Sequence, residues 1–232
     1  MQENYKLRFK DISWAKIAPD YNILVIGLGG IGSWLSLLLN RAGYNTILVD
    51  FDRVEAHNIG GQLFMPTQGS LYKTEAVVNT VHSFCEIVPS AITEKYTPNF
   101  FDSIDIIAVC VDSMEVRQQI FDDWKKVLEQ NKANPSLRLP IMLVDGRLNA
   151  EQFTVYAVTE ETVERYSQTM YKDNEVPDDI CTNKQTSHFG AGIAYTMTKL
   201  INCFVANRAD DLRDLPFCIK DEGFLMTQQV EP

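Results

Sequence analysis

Short, near-continuous apolar runs alternate with amphipathic stretches along the first 150 residues of the 232-residue chain. NILVIG (22–27), ILVD (47–50), IDIIAVCVD (104–112) and LPIMLVDG (139–146) have the pattern of strands buried on both faces of a parallel sheet. Between them, IGSWLSLLLNRA (31–42) places Ile31, Leu35, Leu38 and Leu39 on one helical face, and Gly43 ends the pattern. Residues 70–87 read as a second helix. EVRQQIFDDWKKVLEQ (115–130) reads as a third, with Val116, Ile120, Trp124 and either Val127 or Leu128 inward. This order predicts an α/β fold, doubly wound and Rossmann-like, with a mostly parallel sheet and right-handed crossovers.

After residue 150 the rhythm changes. EQFTVYAV (151–158) alternates apolar and polar positions like a half-exposed antiparallel strand. A polar stretch at 173–186, long enough for a functional loop, precedes a helix over about 187–208. A strand pair is expected near 216–219 and 223–228. No repeat, low-complexity tract or linker interrupts the chain. One domain is therefore expected over 1–232, with a nucleotide-binding half of about 20–150 and a substrate-side half of about 151–232.

Charge narrows the partners. The formal net charge is −10 and no lysine- or arginine-rich run occurs, which argues against a nucleic-acid backbone. The longest apolar run, around Ile23 to Ile31, is too short to span a bilayer, so no membrane partner is expected. Residues 1–20 lack an apolar signal-peptide centre. The cysteines at 85, 110, 181, 203 and 218 are odd in number and scattered, as for reduced thiols, and a cytoplasmic location is expected. No CxxC occurs, so a zinc ribbon is not expected.

The stretch VIGLGGIGS (25–33) carries candidate chemistry, with Gly27, Gly29 and Gly32 at dinucleotide-fingerprint spacing and Gly30 between them. Glycines at a strand-to-helix turn let the backbone approach phosphates, and the helix N-H groups stabilise negative charge there. Asp50, at the end of the second strand, stands where a carboxylate meets ribose hydroxyls. At this point a nicotinamide cofactor fits as well as ATP.

The residues downstream separate the two. VDFDRVEAHNIGGQLF (49–64) contains Asp50, Asp52, Asn58 and Gln62; GSLYKTEAV (69–77) adds Lys73, and VCVDSMEVR (109–117) adds Asp112 and Arg117. Hydride transfer has no need of this set. Over about residues 20–120 the pattern resembles the ThiF-type family, which includes the ubiquitin-activating enzymes and the adenylyltransferases of thiamine and molybdopterin biosynthesis. The resemblance implies an ATP-dependent adenylyltransferase acting on a carboxylate, most readily the C-terminal glycine of a small ubiquitin-like or sulfur-carrier protein. It implies that Gly27, Gly29, Gly30, Gly32, Asp50, Asp52, Asn58 and Gln62 bind ATP and that Lys73 contacts its phosphates. It also implies that Asp112 serves Mg2+ at the reacting centre, that Arg117 is structural, and that the chain pairs as a homodimer.

Two positions raise questions. Family members commonly read Asn-x-x-Arg-Gln, whereas this chain has Gly61 before Gln62, so a phosphate-side cation is missing. Either Arg147 reaches in from VDGRLN, or Arg8 arrives from a partner subunit, or the protein is a non-catalytic nucleotide-binding scaffold. The other reading of Arg147 is an ion pair with Asp145 or Glu151. Cys181 lies in the polar loop where some relatives carry a nucleophile, with His188 as a nearby base; the alternative is a packing cysteine. Asp112 has its own alternative, an N-cap for the following helix. A NAD-dependent oxidoreductase is the competing enzyme class.

Overall fold

The structure is a computed structural model that describes residues 9, 11–133, 139–149, 152–171, 187–222 and 227–232. Its strands are β1 (Asn22–Ile26), β2 (Asn45–Val49), β3 (Ser90–Ile92), β4 (Ile106–Val109), β5 (Met142–Asn149), β6 (Gln152–Val158), β7 (Cys218–Glu222) and β8 (Thr227–Glu231). Its helices are α1 (Ser13–Ile17), α2 (Gly32–Ala42), α3 (Lys73–Cys85), α4 (Met114–Ala133), α5 (Val163–Ser167) and α6 (Ser187–Asn207). The strands form one sheet in the order β3-β2-β1-β4-β5-β6-β7-β8. Pairings from β3 through β5 are parallel, and those from β5 to β8 are antiparallel. The expected α/β architecture with an antiparallel C-terminal extension is therefore present.

Alternation along the strands sorts side chains between two apolar layers. Ile23, Val25, Leu48, Ala108 and Val144 face α2, α3 and α6, meeting Leu35, Leu39, Val77, Ile193 and Met197. Leu24, Ile26, Val49, Ile107, Val109 and Leu143 face α4 and α5, meeting Ile120, Phe121, Trp124, Leu128 and Tyr166. Because β1, β2, β4 and the first half of β5 run parallel, their carboxyl ends share one edge. Ligands of open α/β sheets bind along such an edge.

Several boundaries differ from the sequence pattern. The apolar run 104–112 leaves the sheet at Val109, and Cys110 to Asp112 form the connection to α4. β5 continues to Asn149 because β6 pairs with it as far as Gln152, well beyond the end of β4. The C-terminal strands begin at Cys218 and Thr227, later than the periodicity placed them, and residues 223–226 lie outside the described residues. β3 has no apolar alternation to announce it, being a short and mostly exposed edge strand. Among the described residues no helix is long and apolar enough to cross a membrane.

Candidate functional site

The glycine loop begins where β1 ends. Gly27 donates its N-H to the Val49 carbonyl at 2.9 Å and adopts a φ of 88°, which disfavours any side chain. A Cβ on Gly27 would stand 2.7 Å from the Cys110 carbonyl oxygen, and one on Gly32 would stand 1.8 Å from that of Gly27. Gly29 differs, since a Cβ there would meet nothing within 4 Å, leaving open room beside the backbone. Gly30 is buried against α6: a Cβ on Gly190 would lie 2.3 Å from its carbonyl oxygen. Two of the four glycines thus serve the turn, one leaves space, and one receives a helix.

Asp50 fastens β2 to this loop. Its Oδ2 accepts the Leu28 N-H at 2.7 Å, and its Oδ1 accepts the Asp52 N-H at 2.8 Å. Burial pushes the carboxyl above its ordinary range, against the opposing pull of those N-H groups and of Lys73. Each oxygen keeps a lone pair for a further donor, which is what a ribose hydroxyl needs.

Lys73 opens α3, with its backbone N-H on the Asp52 carbonyl at 2.9 Å and its Nζ on Asp52 Oδ2 at 2.8 Å. The lysine side chain is largely covered, whereas that of Asp52 is half exposed. Asn58 is buried; its Oδ1 accepts the Glu55 N-H at 2.9 Å and its carbonyl accepts the Gln62 N-H at 2.9 Å. Ser33 Oγ accepts the Leu63 N-H at 3.0 Å, tying this segment to α2. Gln62 Oε1 is buried with no hydrogen-bond partner among the described residues. Gly61 is buried too, and donates to the Asn58 carbonyl at 3.2 Å.

Asp112 stands exposed in the connection between β4 and α4. The cap of α4 is Ser113, whose Oγ accepts the Val116 N-H at 3.3 Å, so the capping alternative for Asp112 gives way to its neighbour. Arg117 is buried behind this connection. Its Nη2 donates to the Val111 carbonyl at 2.6 Å and its Nε to Asp145 Oδ1 at 2.8 Å. Arg147 Nε donates to Asp145 Oδ2 at 2.6 Å, and its Nη1 donates to the Thr169 carbonyl at 2.8 Å. Its Nη2 reaches Thr169 Oγ1 at 3.1 Å. Arg147 therefore takes up the ion-pair alternative, with Asp145 as partner, and all three guanidinium nitrogens are engaged within the chain. Burial alone would raise the Asp145 carboxyl; Arg117 and Arg147 overcome it and hold the group below the ordinary carboxylate range.

From the sequence, Asp145 enters only as a partner of Arg147, and Ser113 and Tyr166 enter only with the structure. A serine before an amphipathic run is a capping signal that was available; nothing in the local pattern marks Tyr166. Cys181, Arg8 and Glu151 lie outside the described residues. His188 occupies the first turn of α6, its ring 4.7 Å from that of Phe189. Burial pushes the Cys110 thiol far above its ordinary value, consistent with a packing role.

The donor set fits a nucleotide better than a caged metal. Among the described residues no group of three or more His, Cys, Asp or Glu side chains comes together to hold a metal ion. Mg2+ carried by phosphates asks only one or two protein carboxylates, and Asp112 is exposed beside the glycine-loop edge.

Comparison with known proteins agrees with this fold. Ubiquitin-like modifier-activating enzyme 5 of Oryza sativa subsp. japonica is 31% identical over 123 residues, covering 44% of this chain and 28% of that protein. The same enzyme of Arabidopsis thaliana is 29% identical over 126 residues, again 44% of this chain and 28% of that protein. The chain thus spans under a third of the length of these relatives. Among solved structures, E. coli MccB superposes with a TM-score of 0.73 at 14% identity, covering 98% of this chain and 69% of that one. PaaA superposes at 0.68 with 17% identity, covering 94% of this chain and 66% of that one. The profile of the ThiF family matches residues 14–209, and the chain belongs to that family.

Proposed function

We propose that this chain is an ATP-dependent adenylyltransferase that activates a carboxylate, with the C-terminal glycine of a small ubiquitin-like or sulfur-carrier protein as its substrate. One observation carries the reading. The glycine loop, the Asp50–Asp52–Lys73 group and Asp112 all sit at the carboxyl edge of the parallel strands. Relatives add support: those matched in sequence are named ubiquitin-like modifier-activating enzymes, and MccB has been solved with ATP and with MccA.

In this mechanism the loop backbone at Gly29 admits the phosphates, and Asp50 accepts hydrogen bonds from the ribose hydroxyls. Lys73 exchanges Asp52 for a phosphate oxygen. A substrate carboxylate oxygen bonds to the α-phosphorus as the bond from that phosphorus to the β-bridging oxygen breaks. Pyrophosphate leaves with the electron pair, giving an acyl-adenylate with no net proton transfer. Asp112 would hold Mg2+, which when bound neutralises charge on the phosphate oxygens. Such catalysis is mostly positioning and charge stabilisation. The active species in this reading is a homodimer, which a solution mass equal to one chain would contradict.

Gly61 favours a second reading, a nucleotide-binding scaffold without turnover, because no arginine stands at that position. ATP–pyrophosphate exchange with carrier proteins ending in Gly-Gly separates the two. We expect exchange by the native chain and a drop of about 100-fold or more in Lys73→Ala and Asp112→Ala. ATP binding without exchange for any carrier would sink the enzyme reading, and reduction of nicotinamide would sink both.

A further inference from the structure

The buried cluster behind Asp112 has a composition that stability alone does not explain. Asp145 is fully buried and faces two guanidinium groups, that of buried Arg117 and that of largely covered Arg147, so the three residues together carry one positive charge in excess away from bulk water. Burying an extra cation is costly, and an apolar side chain of similar volume would fill the space more cheaply. The excess is cushioned locally. Tyr166 OH donates to Asp145 Oδ2 at 2.9 Å, and the Arg147 guanidinium carbon lies 4.7 Å from the Tyr156 ring centre and 5.5 Å from that of Tyr166.

What the cluster connects is more telling than what it stabilises. At one end Arg117 holds the Val111 carbonyl, the last peptide group before Asp112. At the other end Arg147 holds both the carbonyl and the hydroxyl of Thr169, just past α5. Asp145 stands between them with one oxygen committed to each arginine. Strand alternation makes this possible. Asp145 and Arg147 share the face toward α4 and α5, while Gly146 points to the other face, where a Cβ would come within 2.8 Å of Ile193 and Met197. A continuous chain of charged hydrogen bonds thus spans the loop of Asp112, two elements of the fold and the turn at 166–169.

We propose that Asp145, Arg147 and Tyr166 are positioning residues, which act through Arg117 to hold the Asp112 loop in register with the 166–171 segment. The proposal rests on the adenylation reading for its consequence, the placement of Asp112, but its physical content is a coupling between two segments. In that role Arg147 serves the reacting centre without touching it.

Hydrogen exchange on the whole chain tests the coupling without any nucleotide. Arg147→Lys keeps a charge but cannot serve Asp145 and Thr169 together; Tyr166→Phe removes one hydrogen bond and keeps the ring. In both, amide exchange should quicken about tenfold in the peptide covering 110–117 as well as in 166–171, with β1 and β2 unchanged. Quickening confined to 166–171 would overturn the proposal, since Arg147 would then anchor only its own neighbourhood. Uniform quickening across β1 and β2 would overturn it too, by showing a general loss of stability. In the pyrophosphate-exchange assay the same variants should lower kcat with KM for ATP unchanged; a rise in KM alone would contradict positioning. Absence of exchange activity in the native chain would count against the adenylation reading only.

Discussion

At the scale of single residues, the site is a set of compromises between burial and hydrogen bonding. Asp50 shows this best. Its carboxyl is raised by burial, so it takes up a proton at a higher pH than an exposed aspartate. In the proposed mechanism, protonation removes an acceptor for the ribose hydroxyls. ATP affinity measured by calorimetry should therefore fall as pH drops toward that raised value, earlier than an ordinary carboxylate would allow. Asp50→Asn should weaken ATP binding by about tenfold at neutral pH and flatten the acid arm of the profile. If the variant kept the native pH profile, Asp50 would not be the group responsible. Gly27 and Gly32 were legible in the sequence because their spacing reports a steric need. Gln62 was legible only by resemblance, and its buried Oε1, unpartnered among the described residues, marks it as a group with hydrogen-bonding capacity to spare.

At the scale of elements, the close fit of α6 on the glycine loop stands out. Gly190 lets the first turn of that helix rest on the Gly30 carbonyl, 2.3 Å from where a Cβ would stand. Because the obstacle is backbone, Gly190→Ala must shift the helix or the loop. We expect a loss of roughly 1–3 kcal/mol in urea unfolding, together with weaker ATP binding. Native ATP affinity in a destabilised variant would show that the helix, not the loop, gives way. The amphipathic pattern read α2 and α4 closely, since each buries an apolar face against the sheet. On α4 it found Ile120 and Trp124, and left Val127 and Leu128 as alternatives, of which Leu128 is the buried one. It also named Val116, which is only half-buried, and passed over Phe121, which is as buried as Trp124. The reason is that α4 packs against both the sheet and Tyr166, with the Phe121 and Tyr166 rings 4.9 Å apart, so its buried stripe is wider than one seam.

At the scale of the whole molecule, Asp145 joins α4, through Arg117, to α5, through Tyr166. Its folded carboxyl lies below the ordinary range, whereas that of Asp50 lies above it, and the two bear oppositely on stability. Ionised Asp145 adds stability that is present above the unfolded value and is lost as pH falls through the folded one. Ionised Asp50 subtracts stability above its folded value, and acid relieves that cost. Asp145→Asn leaves buried Arg117 and largely covered Arg147 facing a neutral amide. It should cost about 3–5 kcal/mol at neutral pH, with the deficit shrinking in acid. Urea titrations at two pH values check this, and an unchanged deficit would place the cost in packing rather than charge.

The sequence by itself determined the layered α/β architecture, because buried parallel strands and amphipathic helices leave periodic marks in any one stretch of chain. It also determined the glycine loop and, through resemblance, the candidate residues from Asp50 to Asp112. Only the tertiary structure decided what Arg147 does. Its choice between a ligand and Asp145 depends on β5 extending past β4, on Gly146 yielding room to α6, and on α5 delivering Tyr166 and Thr169. Asp145 itself lay within reach of the sequence, two residues away on the same strand face, but β4, α6, Tyr166 and Thr169 are far from Arg147 in the chain, and no local pattern encodes that they meet there.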